Sequence, residues 1–107
     1  MVKTITDDNF QQEVIEASKQ KPVLVDFFAS WCGPCMMQSP IVDAVSEEVG
    51  ENAIVGKLDT ENAQQTAMKY MVMSIPTLMV FKNGEVVQHY VGLQPKGELV
   101  GSLQKWK

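Results

Sequence analysis

Two cysteines and one histidine are the only thiol and imidazole side chains in this chain. A structural zinc site takes four nitrogen or sulfur ligands, and Cys32, Cys35 and His89 together fall short of that. No apolar run approaches the ~18 residues that a membrane-spanning helix needs. The opening stretch, Met1-Val2-Lys3-Thr4-Ile5-Thr6-Asp7-Asp8, lacks the apolar segment of a signal peptide, so a cytosolic location is the expectation. Basic residues are scarce as well. Nine against 13 acidic residues leave a net charge of −4, which disfavours nucleic acid as a partner and favours solubility. Repeats, low-complexity tracts and linkers are absent, so residues 1–107 are expected to form a single domain. A chain of this length buries roughly two thirds of its unfolded surface. Its 45% hydrophobic and 21% charged composition is ordinary for a globular protein.

What the chain does have is concentrated in Trp31-Cys32-Gly33-Pro34-Cys35. Before it, Val23-Leu24-Val25-Asp26-Phe27-Phe28 reads as a buried strand. After it, Met37, Ile41, Val45 and Val49 recur every fourth residue, as one face of a helix does. The cysteines therefore sit where a strand turns into a helix start, among free backbone N–H groups and at the positive end of the helix dipole. A thiolate is an anion and is favoured there. Cβ atoms at i and i+3 of a regular helix lie about 5–6 Å apart, whereas a disulfide wants them at about 3.5–4.5 Å. The pair can close only where the helix is still starting. Gly33 supplies backbone freedom, and Pro34 suits a first turn where its missing N–H costs little. Cys32 is expected as the exposed attacking sulfur, and Cys35, one turn in, as the buried resolving one. Two other readings stand beside this redox pair. A structural staple would close so small a ring that it contributes only about 2 kcal/mol. A metal centre is limited by the ligand count. In a reducing cytosol a lone CxxC is more often catalytic than structural.

In chain order, Val2 to Thr6 reads as an edge strand, and Thr6 or Asp7 can cap a helix running to about Ser18 with Phe10, Val14 and Ala17 inward. Lys19 to Lys21 form a polar loop before the central strand, 23–28. That strand's continuous apolar character predicts cover on both faces, and Asp26 interrupts it. A carboxylate there is expensive unless it is protonated or partnered. It either caps a pleat near water or is a buried acid behind the cysteines, with a raised pKa. The next helix spans 34–49, with Pro40 removing one of its backbone bonds. Residues 53–58 form a strand. Its Lys57 is either the ionic neighbour of Asp26 or an exposed edge lysine. A helix beginning at Asp59-Thr60-Glu61-Asn62 runs to about Met71, with Ala63, Ala67, Met68 and Met71 available for packing. Pro76 belongs at the start of a strand. Strands 77–81 and 85–91 flank Asn83-Gly84, a hairpin signal that makes them antiparallel. His89 on that hairpin is expected to be an exposed bystander. Pro95 suits a helix N1 position, and Leu99, Val100, Leu103 and Trp106 form the last inner stripe. Met68 and Met79 are read as core, and Met73, beside Ile75, as lying near a binding groove. Strands and helices in this order give an α/β sandwich, a mixed sheet with helices on both faces.

Trp31 to Cys35 after Val25-Asp26-Phe27 resembles the thioredoxin family. The likeness runs nearly end to end, through Pro40, Lys57-Leu58-Asp59, Ser74-Ile75-Pro76-Thr77, Phe81-Lys82-Asn83-Gly84 and Gly92. It implies a central five-stranded mixed sheet, order 1-3-2-4-5, flanked by four helices. It also implies thiol–disulfide exchange through a Cys32–Cys35 redox-active disulfide, with Asp26 exchanging a proton with Cys35. Lys57, a cation in so apolar a strand, is expected as the ionic neighbour of that acid. By the same resemblance the Ile75–Pro76 bond is cis, although trans is the expectation from general physics. Trp31, Gly33, Pro34, Ile75, Pro76 and Gly92 would line a groove for substrate. The implied partners are disulfide-containing proteins and, as electron donor, thioredoxin reductase, an NADPH-dependent flavoprotein. No cofactor or metal would bind the chain itself, nucleic acid and membranes would not be partners, and the protein would be a cytoplasmic monomer. Met36 departs from the family, where Lys or Arg often follows the second cysteine. Phe28 replaces a frequent Trp, and Met71 a frequent Gly or Asn. Two alternatives remain: an oxidase or isomerase of the same fold, against which Gly33-Pro34 argues, and a processivity-type binding subunit that uses the groove without turnover.

Overall fold

The computed structural model describes residues 1–107. Strand β1 (Val2–Ile5) leads into a π-helical segment (Gln11–Glu16) that closes in a 3-10 turn (Ala17–Lys19). Then follow β2 (Val23–Phe28), α1 (Gly33–Val49), a 3-10 turn (Gly50–Asn52) and β3 (Ile54–Asp59). The chain ends with α2 (Gln64–Lys69), β4 (Thr77–Lys82), β5 (Glu85–Val91) and α3 (Lys96–Lys105). The sheet order is β1-β3-β2-β4-β5. β1, β3 and β2 run parallel, whereas β4 is antiparallel to both β2 and β5. Three α-helices and the π-helical segment cover the two faces, as the strand–helix pattern predicts.

Central strand β2 explains the apolar run. Residues alternate between faces of a sheet, and both faces of this strand are covered. Leu24 packs with Val42, Val45, Leu78 and Leu99 on the α1/α3 side. Val23, Val25 and Phe27 pack with Ile5, Phe10, Val14, Leu58 and Phe81 on the other. Asp26 has the parity of Leu24, so it belongs to the face covered by α1 and α3.

Several buried positions are polar, and these depart from the apolar-stripe expectation. In α1 the buried residues are Cys35, Gln38, Val42, Val45, Ser46 and Val49, while Met37 is exposed and Ile41 only half-buried. A four-residue step overshoots the 3.6-residue turn by about 40°, so a set repeated from residue 37 to residue 49 drifts off the buried face. Gln38 and Ser46 fill the true stripe. The Gln38 side chain donates to the Gln94 carbonyl at 3.0 Å and accepts from the Gln94 N–H at 2.7 Å. The Ser46 hydroxyl accepts from the Met1 ammonium at 2.8 Å. In the first helical segment Ser18 is fully buried and Ala17 only partly. Ser18 accepts from the N–H groups of Asn83 and Gly84 at 2.9 and 2.8 Å, and so ties the segment to the β4–β5 turn. Both turn residues have positive φ, 55° and 80°, as a two-residue type I′ hairpin requires.

The helix ends also sort out locally. Thr6 Oγ1 accepts from the Asn9 N–H, and Asn9 Oδ1 from the Thr6 N–H, a reciprocal cap. Asp7 does not cap. Its carboxylate accepts from the Thr66 N–H at 2.9 Å and from the Thr66 hydroxyl at 2.6 Å, bonds that hold it below the usual carboxylate range. α2 is shorter than expected because Asp59 to Asn62 form a turn on the Asp59 carboxylate. Met68 is 76% exposed and Met71 77% exposed, so neither belongs to the core, whereas Met79 is buried as expected. Ala63, Thr66 and Ala67 supply the inner face of this region, and Tyr70 stacks at 5.4 Å from both Phe10 and Phe81. Met71 has φ +57°, the left-handed conformation that a Gly or Asn adopts more readily. Pro95 is extended and flanks α3 as its N-cap, one position earlier than expected.

Candidate active site

The site is built at the carboxyl ends of β2 and β3, where loops of an α/β sheet converge on ligands. β2 ends at Phe28, and Cys32 stands as the N-cap of α1, where its sulfur accepts the Cys35 N–H at 3.2 Å. The sulfur does what a Ser or Asp oxygen does at other helix starts, satisfying one of the orphan donors of the first turn. Pro34 lies in that turn. Cys32 and Cys35 are joined in a disulfide with their Cα atoms 5.2 Å apart.

Both cysteines are buried, with 5% exposure for Cys32 and 3% for Cys35. Cys32 is therefore not the exposed sulfur that its position at the helix start predicts. In the disulfide its sulfur is drawn over the first turn of α1 and lies 3.7 Å from the Ile75 carbonyl oxygen. Phe28 and Ile75 pack against the pair. Exposure belongs to the residues around the bond: Trp31, Gly33, Pro34 and Met36. The Trp31 indole N–H donates to Glu61 Oε2 at 2.9 Å, which fixes the loop before the cysteines to the loop after β3.

Two further segments reach this corner. The Ile75–Pro76 bond is cis, Pro76 is buried and Ile75 half-buried. The Thr77 hydroxyl donates to the Ser74 carbonyl and closes the turn before β4. Gly92, just past β5, has φ +93° and donates its N–H to the Pro76 carbonyl at 2.8 Å. The Gln38–Gln94 bonds pin the chain just after Gly92 to α1. Met73 is exposed two residues before Ile75, and His89 is exposed on β5.

Behind the disulfide lies Asp26, with 1% exposure and no hydrogen-bond partner for its Oδ1. Burial pushes its pKa up to about 7, with the Lys57 ammonium pulling down and the Asp43 carboxylate pushing up. A cavity of about 150 Å³ is lined by Asp26, Cys35, Ser39 and Lys57 among others. Lys57 is the register partner of Asp26 across the β2–β3 ladder. Its ammonium, however, is bonded to Ser39 Oγ at 2.5 Å and to Asp43 Oδ1 at 2.9 Å. Its ion pair is with Asp43. Lys57 is thus a charged neighbour of Asp26 but not its bonded partner. Ser39, Asp43, Gln38 and Glu61 are the residues that the sequence reading passed over. Ser39 and Asp43 carried one signal, a four-residue spacing that stacks them on a single helix face. No group of three or more His, Cys, Asp or Glu side chains is arranged to hold a metal ion, and no helix is long and apolar enough to cross a membrane.

A CxxC disulfide at a helix start, flanked by a cis-proline loop and backed by a buried acid, defines a thiol–disulfide oxidoreductase. A sequence model of the family described as Thioredoxin matches residues 1–105. The chain is 48% identical over 105 residues to the thioredoxin of Porphyra purpurea, covering 98% of this chain and 96% of that one. It is 48% identical over 100 residues to the thioredoxin of Streptomyces clavuligerus, covering 94% and 91%. With the thioredoxin of Listeria monocytogenes it shares 44% over 106 residues, 99% of each. The chain belongs to the thioredoxin family, and its Cys32–Cys35 pair makes it a dithiol reductant of disulfides.

Proposed function

We propose that this protein reduces disulfides in other proteins in two steps, with Cys32 attacking and Cys35 resolving. One observation carries the assignment. Cys32 caps α1 and receives the Cys35 N–H, while Cys35 shares a cavity with the unpartnered Asp26. In the reduced protein a donor aimed at Cys32 Sγ stabilises its thiolate. That thiolate attacks one substrate sulfur, forming a mixed disulfide and releasing the other substrate sulfur as a thiolate. Cys35 then gives its proton to the Asp26 carboxylate and attacks Cys32 Sγ. The internal disulfide forms, and the second substrate sulfur leaves. Two electrons pass from the dithiol to the substrate. With a pKa of about 7, Asp26 is close to half-ionised at neutral pH, where a proton acceptor is most effective.

The groove for the substrate is formed by Trp31, Gly33, Pro34, Ile75, Pro76 and Gly92, and an extended substrate segment pairs there with the Ile75 backbone. Lys57 tunes Asp26 through its charge. The oxidised protein is returned to the dithiol by an NADPH-dependent flavoprotein of the thioredoxin reductase type, which makes it a carrier in electron transport. It works as a single-domain monomer in the cytoplasm, with no bound cofactor and no nucleic-acid or membrane partner.

The test is turnover of insulin disulfides. The reduced protein should cleave them, and Cys32→Ser should abolish the activity. Cys35→Ser should accumulate a covalent adduct visible on non-reducing gels. Adducts with Cys32→Ser instead would reverse the two roles. Equilibration against glutathione separates the reductant from an oxidase or isomerase. Oxidation of the dithiol only in a large excess of oxidised glutathione would exclude the reductant.

A further inference from the structure

We propose that Ser39 and Asp43 of α1 are positioning residues for this exchange. They hold the Lys57 ammonium on the helix side of the cavity and keep it from closing onto Asp26, which leaves that acid free to trade a proton with Cys35. The inference rests on the Proposed function reading of Asp26 as the proton acceptor.

The geometry carries it. Asp26 and Lys57 stand opposite each other in the β2–β3 ladder, and Asp26 Oδ1 has no partner. An ammonium beside an unpaired buried carboxyl should form an ion pair, since each group otherwise pays for its desolvation alone. It does not. Lys57 Nζ is bonded to Ser39 Oγ at 2.5 Å and to Asp43 Oδ1 at 2.9 Å. Residues four apart on a helix lie one above the other, so the hydroxyl and the carboxylate form a two-point holder facing β3. Asp43 is 58% exposed and keeps its hydration, whereas Lys57 is 21% exposed. The holder thus competes for Lys57 without burying a second acid. Charged and titratable groups reach Asp26 from two elements: Lys57 from β3, and Cys35 and Asp43 from α1. On its other side its ladder partner is Leu78 of β4, which carries no charge.

Were Lys57 released, it would pair with Asp26 and stabilise the carboxylate. Opposite charge at ~4–6 Å lowers a carboxyl pKa by about 1–3 units, and a weaker base accepts a proton less effectively. Asp26 is instead held near 7, where desolvation outweighs the restrained cation.

The experiment is a carbon-13 NMR titration of the Asp26 carboxyl in the oxidised protein, where neither cysteine titrates, with the signal assigned by Asp26→Asn. Ser39→Ala and Asp43→Asn are each made in the parent and in Lys57→Met. In the parent both should lower the Asp26 midpoint, Asp43→Asn by about one pH unit, and Ser39→Thr, which keeps the hydroxyl, should restore it. In Lys57→Met the Ser39→Ala shift should vanish and the Asp43→Asn shift should shrink. Ser39→Ala is the mild variant should Asp43→Asn fold poorly. Single-turnover reduction of insulin should show its pH profile moving with the carboxyl midpoint. Unchanged midpoints in the parent, or equal shifts without Lys57, would overturn the positioning role and leave the function of Asp26 untouched. A midpoint that moves while the exchange profile stays fixed would refute Asp26 as proton acceptor, and with it any part for Ser39 and Asp43 in the reaction.

Discussion

Asp26→Ala should make the oxidised protein more stable, by an amount that grows with pH. The Asp26 carboxyl is pushed from an ordinary 3.8 to about 7 by burial. Above its ordinary value the unfolded chain loses the proton first, so the native state binds more protons and stability falls as pH rises. The fall ends once the folded-state value near 7 is passed. Each pH unit inside that window is worth about 1.4 kcal/mol, so the burden is about 2 kcal/mol at pH 5 and about 4 kcal/mol at pH 9. Truncation to Ala leaves a small void beside the existing cavity, a loss of about 1–2 kcal/mol that does not depend on pH. The variant should therefore match the parent near pH 5 and exceed it by about 2–3 kcal/mol at pH 9. The widening of about 2.5 kcal/mol is the informative quantity, because the packing loss cancels from it. Asp7 and Glu16, whose carboxyls are held low by hydrogen bonds, occur in both proteins and cancel too. Urea unfolding reads the effect. With a slope of about 1–3 kcal/mol per molar, the two midpoints should separate by roughly 1–2 M across that range. A difference that stays flat or narrows with pH would mean that Asp26 is hydrated or well paired, and the proposal that it accepts the proton would fall.

Gln38→Ala should destabilise by about 3 kcal/mol, since it leaves a void and strips two bonds from the Gln94 backbone. Gln38→Leu keeps most of the volume and should lose about half as much. Both should raise KM for insulin more than they lower kcat, because the chain after Gly92 is loosened, and a Gln38→Leu protein as stable as the parent would show that the Gln94 bonds contribute nothing net. At Gly56 an added Cβ would stand 2.6 Å from Ile5 Cγ1 and 3.0 Å from Cδ1, so Gly56→Ala should destabilise by about 1–3 kcal/mol. Combined with Ile5→Ala, which removes both atoms, it should lose less than the sum of the two single changes in thermal unfolding; simple additivity would rule out the clash.

The sequence by itself determined what depends on neighbours along the chain. The doubly buried β2 run, the Asn83-Gly84 turn and the placing of Cys32 and Cys35 at a helix start all follow from local chemistry. Their spacing and turn residues admit few other solutions, and the strand–helix alternation then constrains the sheet order. The tertiary structure decided where the polar side chains went. Ser18, Gln38 and Ser46 find their partners 66, 56 and 45 residues away. A polar residue destined for such a partner looks, in the sequence, like one destined for water. Met68 failed in the opposite sense, as an apolar residue on the outer face of α2, whose inner face is Thr66 and Ala67. The burial of Cys32 depends on Ile75, which arrives from a distant loop. Lys57 shows the limit most clearly. Its position beside Asp26 follows from strand pairing, but the direction of its ammonium was set by a hydroxyl and a carboxylate on a helix packed across the sheet, because a flexible cation goes to whichever acceptors the fold brings nearest at the least loss of hydration.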